Sequence, residues 1–315
     1  MKKQLRKLKK DRNGIAGLII IIVITLAIIA GVVAVLVTRG GAFKLIGETD
    51  YTYASTANLN LTLTIDNTVG SVEVENDDTL TSLMEARLEF WGRSEATIAD
   101  AVNFTSSTAG GKVALSFDSG DVTWQWGDKD AFYQKLFVKI NPDAIAEYNI
   151  IVTTGSVTLN FDSSTESEIT MLDVDVTTGS VTADFGDNTF LNTSTVSLET
   201  TTGSIDVYSQ EVKFVDDIVW TIETTTGSID LTVDQVAIPT DNYIATFNVG
   251  TTTGSIDLLY TLAETDFGIR ITAQTTTGSI TLPGGGNLYE SSGYSGELIK
   301  YIFDLDTTTG SIEAS

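Results

Sequence analysis

Val196-Ser197-Leu198-Glu199-Thr200-Thr201-Thr202-Gly203-Ser204-Ile205-Asp206-Val207 holds the pattern that decides the fold of this 315-residue chain. Apolar and polar residues alternate up to the threonines and alternate again after the serine. That is the period of a β-strand with one buried face. The parity does not carry through. Leu198 lies five residues before Gly203 and Ile205 lies two after it, an odd separation. An uninterrupted strand would keep one parity. The chain must therefore turn or bulge at Thr-Gly-Ser, where glycine takes a positive φ without steric cost.

The stretch recurs. Thr-Thr-Gly-Ser followed by Val or Ile occurs seven times, with glycines at Gly155, Gly179, Gly203, Gly227, Gly254, Gly278 and Gly310. The steps between them are 24, 24, 24, 27, 24 and 32 residues. Five residues before each glycine sit Ile150, Val174, Leu198, Ile222, Val249, Ala273 and Leu305. Ile65, Val69-Gly70-Ser71 and Val72 form a weaker eighth copy. A recurring unit of this size marks a stacked repeat architecture. The expected fold is all-β: a parallel β-solenoid, β-helix-like, of roughly 24-residue repeats whose equivalent residues stack about 4.8 Å apart. The alternative is an antiparallel β-sandwich or meander, with each motif a hairpin turn that pairs Val174 with Val181. In-register stacking rewards identical Thr and Ser at one offset, whereas a meander gives no reason to spell every turn alike.

Parity places Thr200 and Thr202, and their equivalents, on the inward face up to the turn. Three residues after the glycine, the column Thr158, Thr182, Asp206, Asp230, Asp257, Thr281 and Glu313 faces solvent. Asp206, Asp230 and Asp257 are the candidate metal ligands, because stacked like charges repel and a hard cation such as Ca2+ relieves that cost. The competing reading is a solvated acidic stripe screened by salt. The Gly-Gly-x-Gly-x-Asp nonapeptides of calcium-binding β-helices are absent, and no other cofactor is expected. Trp91, Trp124, Trp126 and Tyr133 precede the main repeat and read as a cap or core of the first rungs rather than a sugar platform.

Seven basic residues (Lys2, Lys3, Arg6, Lys7, Lys9, Lys10 and Arg12) precede an uncharged run from Ile15 to Thr38. Those 24 residues exceed the ~20 that a bilayer core requires. The basic flank should stay cytoplasmic. The expected organisation is a basic cytoplasmic tail over 1–14 and a transmembrane helix over 15–38. A stalk over 39–57 and an extracellular β-repeat ectodomain over 58–315 follow, all at the cell membrane. Arg12-Asn13-Gly14 resembles the processing site of archaeal type IV pilin-like precursors, which are cut after the glycine. The glutamate that bacterial pilins carry five residues into the helix is replaced by Ile19. A pilin-like filament subunit is thus the runner-up reading.

The chain has neither cysteine nor histidine. It lacks disulfides, a histidine base and a thiol nucleophile, so no catalytic role is expected. Beyond residue 44 lie nine basic and 41 acidic groups, a net charge of −32. Repulsion excludes nucleic acid and anionic lipid as partners of that portion. The expected partners are the membrane, through the helix, and an envelope or cell-surface protein or glycan. An envelope-stress sensing ectodomain is a third reading, although the basic tail is short for a signalling domain.

Over residues 58–315 the chain resembles the putative-adhesin, β-strand-repeat domains of bacterial and archaeal envelope proteins. Leu61-Thr62-Leu63-Thr64-Ile65 with Gly70-Ser71-Val72-Glu73-Val74 resembles that family's first strand pair. Leu136 to Pro142, running into Tyr148 to Val157, resembles its strand ending in proline ahead of the first Gly-Ser turn. The near-uniform Thr-Thr-Gly-Ser departs from the family's more frequent Ser-Gly-Asp. The resemblance implies a β-helix-like fold and an envelope location, with no established activity.

Overall fold

The computed structural model describes residues 44–54, 60–92, 103–109, 112–118, 132–238, 242–262, 266–292 and 294–315. These are all-β. The first strands are β1 (Lys44–Tyr53), β2 (Asn60–Asn76), β3 (Met84–Gly92), β4 (Asn103–Ala109), β5 (Lys112–Asp118) and β6 (Phe132–Ile140). The repeats follow with β7 (Ile145–Thr154), β8 (Val157–Asn160), β9 (Ser167–Thr178), β10 (Val181–Phe185), β11 (Thr189–Leu191), β12 (Thr195–Thr202), β13 (Ile205–Gln210), β14 (Lys213–Phe214), β15 (Ile218–Thr226) and β16 (Ile229–Gln235). The chain continues through β17 (Ile244–Thr253), β18 (Ile256–Leu262), β19 (Gly268–Thr277), β20 (Ile280–Thr281), β21 (Leu288–Glu290), β22 (Lys300–Thr309) and β23 (Ile312–Ala314).

Each motif separates two strands, as β12 ends at Thr202 and β13 begins at Ile205. Strands before the motif form one parallel ladder and strands after it form another. Leu198 pairs with Val174 on one side and Ile222 on the other. Ile205 likewise pairs with Val181 and Ile229. Val174 and Val181 therefore belong to different ladders, not to one hairpin. β2 runs through both, pairing with β7 before Gly70 and with β8 after it; the weak eighth copy is a genuine corner.

The ladders are not parallel throughout. β3 pairs antiparallel with β6, β1 with β3, β4 with β5, and β21 with β19. The sheet is mixed and does not close on itself. Residues 44–53, expected as stalk, are instead strand β1. The folded body thus begins at least at Lys44 rather than near Asn58. No sequence repeat announces β1, because its partner β3 is an antiparallel strand and not a stacked copy of itself.

The stacking explains the glycines. Their φ angles in the corner column lie between +147° and +159°, which L side chains rarely adopt. A Cβ on Gly203 would also sit 1.7 Å from the carbonyl oxygen of Gly179, and one on Gly179 would sit 1.6 Å from that of Gly155. Conformation and close backbone approach both demand the smallest residue.

The threonines divide differently from the parity expectation. Thr200, Thr224, Thr251 and Thr307 are buried, whereas Thr202, Thr226, Thr253 and Thr309 are exposed. The chain already begins to turn at the middle threonine, so parity breaks one step earlier than the glycine. Each inward hydroxyl donates to a neighbouring glycine carbonyl: Thr200 to Gly179 at 3.0 Å, Thr224 to Gly203 at 2.9 Å and Thr251 to Gly227 at 3.1 Å. Val152 and Val176 fill the same inward position in the first repeats and are buried too. The hydroxyl is therefore an addition to stacking, not its cause. Thr224→Val should cost only about 0.5–1.5 kcal/mol in a denaturant melt, the net worth of one hydrogen bond.

The interior is aliphatic from both ladders, with an aromatic series running along the stack. Tyr148–Phe161, Phe161–Phe185, Phe185–Trp220, Trp220–Phe247 and Phe247–Phe303 have ring centroids 5.1, 5.4, 5.1, 5.3 and 5.0 Å apart. These spacings suit offset or edge-to-face ring pairs, which add to the value of simple burial. At one end Tyr51 packs on Phe104 (4.6 Å) and Phe117 (5.5 Å). Tyr53 and Thr108 hydroxyls bond at 2.7 Å, tying β1 to β4.

Spatial order departs from chain order. β22 pairs with both β17 and β19, and β23 with both β18 and β20. The Gly310 corner therefore lies between those of Gly254 and Gly278. Backbone bonds agree: the Gly254 N–H donates to Thr309 O at 3.0 Å and the Gly310 N–H to Thr277 O at 2.9 Å. β2 is similarly flanked by later strands, β6 on one side and β8 on the other.

No helix among the described residues is long and apolar enough to cross a membrane. The expected transmembrane helix over 15–38, the basic tail and Arg12-Asn13-Gly14 lie outside the described residues.

Candidate functional site

Alternation on β3 and β6 buries Met84, Ala86, Leu88, Leu136 and Val138 and turns Glu85, Arg87, Glu89, Phe137 and Lys139 outward. Beside them β2 contributes Glu73 and Glu75, and β1 contributes Asp50 and Thr52. Together they line an outward groove of about 600 Å3. It lies where the antiparallel edge strands join the parallel ladder.

The groove is acidic but internally braced. Arg87 Nη2 lies 2.6 Å from Glu48 Oε2 and 3.3 Å from Glu89 Oε1. Lys139 Nζ lies 3.0 Å from Glu75 Oε1 and 2.8 Å from Asp77 Oδ2. The hydrogen bond from Lys139, together with two from Thr79, lowers the Asp77 carboxyl to about 2. Asp77, and then Glu75, in turn raise the Lys139 ammonium well above its ordinary range. Asp50 and Glu73 have no ion-pair partner among the described residues. Phe137 sits half-buried in the groove. Such a surface can hold a polar partner through hydrogen bonds and an aromatic contact. It holds neither a histidine nor a thiol.

Two of the four aromatics expected in a cap or core are on this outward face instead. Trp91 and Tyr133 sit opposite one another across the β3–β6 pair and are half-buried. Trp91 Nε1 donates to Glu89 at 3.0 Å, Lys135 Nζ lies 5.4 Å from the Trp91 ring centre, and the Tyr133 hydroxyl bonds Ser71. Strands with one solvated face put every second residue outside, and polar tips let these rings stand there. Trp124 and Trp126 lie outside the described residues.

The aspartate column stacks as the spacing implies. Asp206 pairs with Asp230, and Asp230 with Asp257, all exposed. Partial burial raises the Asp230 carboxyl, aided by the charge of Asp206; partial burial and then Asp230 raise Asp257. Among the described residues no group of three or more His, Cys, Asp or Glu is arranged to hold a metal ion. In a straight ladder the carboxylates point side by side rather than converging on one centre.

Opposing shifts set the pH dependence. Asp173, Asp184, Asp230 and Asp257 are raised, chiefly by burial. Their penalty on the folded state applies above their folded pKa and vanishes on acidification. Asp77, Asp78 and Glu147 are lowered by hydrogen bonds from Lys139, Ser164 and Lys112 respectively. Their contribution is present above the unfolded carboxylate pKa and is lost as pH falls below it. Acidification from pH 7 should therefore first relieve the raised aspartates, and the melting temperature should fall once the pH drops below the ordinary carboxylate range of about 4. A monotonic fall from pH 7 in a thermal titration would contradict this.

No protein-family model matches the chain, and no curated protein does. Solved structures of low similarity do match over most of their length. A "putative cell adhesion protein" from Clostridium sporogenes ATCC 15579 is 11% identical, with 87% of this chain and 99% of the other covered and a TM-score of 0.38. A "putative adhesin" from Bacteroides fragilis NCTC 9343 is 12% identical, covering 86% and 97%, with a TM-score of 0.30. A "putative lipid binding protein" from Parabacteroides distasonis ATCC 8503 is 11% identical, covering 85% and 94%, with a TM-score of 0.38.

Proposed function

We propose that this chain is a membrane-anchored cell-surface protein whose parallel ladders form a β-solenoid with a structural or adhesive, non-catalytic role. One observation carries the reading. Twenty-four uncharged residues behind seven basic ones lead within a few residues into a large acidic all-β body. That arrangement suits a helix in the bilayer, a tail of 14 residues in the cytoplasm and a body held outside close to the membrane. The linker reduces to residues 39–43, because β1 begins at Lys44. The outward groove supplies the contact surface, and its charge directs it to an envelope or cell-surface protein or glycan rather than to nucleic acid.

Labelling intact cells with a membrane-impermeant amine reagent tests this. Label should appear on Lys112, Lys139 and Lys213, which are 43%, 45% and 47% exposed, and not on Lys2 to Lys10. Label on the N-terminal lysines of intact cells would sink the topology. Sequencing the mature N-terminus separates this reading from the pilin-like one: a start at Ile15 favours the pilin. No cofactor belongs to the proposal. Millimolar Ca2+ should shift the melting temperature no more than Na+ at matched ionic strength, because Asp206, Asp230 and Asp257 respond to screening alone. A larger shift with Ca2+ would revive a cation site.

A further inference from the structure

The Gly254 and Gly278 repeats follow one another in the chain, yet residues 300–315 lie between them. β22 pairs along its length with β17 on one side and β19 on the other. Its buried Tyr301, Phe303 and Leu305 complete the interior at that level. The two flanks match one another offset for offset: Phe247 and Ile271, Val249 and Ala273, Thr251 and Thr275, Ile256 and Ile280. The inserted rung also uses the bonds found between any neighbours. Thr307 Oγ1 donates to Gly254 O at 3.2 Å, and Thr275 Oγ1 donates to Gly310 O at 3.4 Å. Nothing in this slot distinguishes residues 300–315 of the same chain from those of another.

The connection back to the slot carries β21, which is paired with β19 and would travel with the exchanged segment, but it opens on a permissive stretch. It contains Pro283-Gly284-Gly285-Gly286, whose glycines have φ of +76°, +79° and +88° and open space where a Cβ would stand. Glycine runs without packing contacts reorient at little cost. We propose that the gap between the Gly254 and Gly278 repeats is a strand-acceptor site, and that a second copy's residues 300–315 fill it by reciprocal exchange. Exchanged and unexchanged forms share the same ladders, so concentration and the tether decide between them. This goes beyond the surface role proposed above and does not depend on it.

The cysteine-free chain allows a direct test. Thr253 pairs with Thr309, and Thr309 with Thr277, at exposed corner positions. Full-length Thr253→Cys and Thr309→Cys variants are unfolded together, refolded together at high concentration and oxidised. The expected product is a disulfide-linked dimer of one variant with the other, with a yield that rises with concentration and exceeds that of either variant alone. The Thr253→Cys/Thr309→Cys double variant, refolded dilute, should close its disulfide within one chain, since neighbouring rungs lie within disulfide reach. If the double variant closes but the mixture gives no more dimer than the single variants, exchange does not occur and the proposal falls. It falls equally if Thr253→Cys/Thr277→Cys closes instead, because the slot would then not exist.

Discussion

Gly203→Ala should destabilise the protein by about 3–6 kcal/mol, lowering its melting temperature by on the order of 10 °C. Two independent costs add. At φ +150° an L side chain is strained, and the new Cβ would meet the Gly179 carbonyl oxygen at 1.7 Å. That oxygen belongs to backbone fixed between β9 and β10, which the two ladders hold on either side, and it cannot swing away like a side chain. It also accepts the Thr200 hydroxyl, so moving it disturbs a second contact. Gly284→Ala is the matched control. Its φ is +76° with nothing within 4 Å of a Cβ, so only conformational strain of roughly 1 kcal/mol remains. Equal effects at the two sites in a denaturant melt would show that close stacking does not constrain Gly203.

Phe247→Ala should cost about 3–5 kcal/mol, the range for deleting a fully buried ring. Phe247 is 0% exposed. It stacks on Trp220 at 5.3 Å and on Phe303 at 5.0 Å. Phe303 belongs to the inserted strand β22, so the deletion removes a contact on each side of the Phe247 rung. In stacked repeats stability is a sum of unit and nearest-neighbour terms. The damage should therefore concentrate locally. Hydrogen exchange should quicken first in β17, β22 and β19, while β9 and β12 keep their protection. Uniform acceleration along the chain would argue for one global cooperative unit instead.

The repeated Thr-Thr-Gly-Ser made the corners legible, and the odd offset from Leu198 to Ile205 located the turn. What escaped reading has physical causes. Spatial order was hidden because every rung carries the same motif, and identical motifs satisfy the ladder in any order; hence Gly310 beside Gly254 came only with the structure. The inward and outward threonines were misassigned because parity assumes extended backbone, and the chain bends within the threonines themselves. β1 was hidden in a stretch of Gly, Thr and Tyr because its strand character comes from pairing with β3. The groove was beyond reach because Asp50, Glu73, Arg87 and Phe137 meet only through that edge pairing. A weak signal for it existed: charges alternating with apolar residues in Glu85-Ala86-Arg87-Leu88-Glu89 marked a solvated face.

Spin labels at Thr154 paired in turn with Thr253, Thr309 and Thr277 test the stacked architecture most directly. Thr154 and its equivalents occupy one corner column, and the observed order places these three partners four, five and six rungs away. At one strand spacing per rung the separations should be about 19, 24 and 29 Å before allowance for the label. Thr309 should thus lie nearer to Thr154 than Thr277 does, despite being farther along the chain. Distances that fail to increase in even steps, or that place Thr277 nearer than Thr309, would contradict the account.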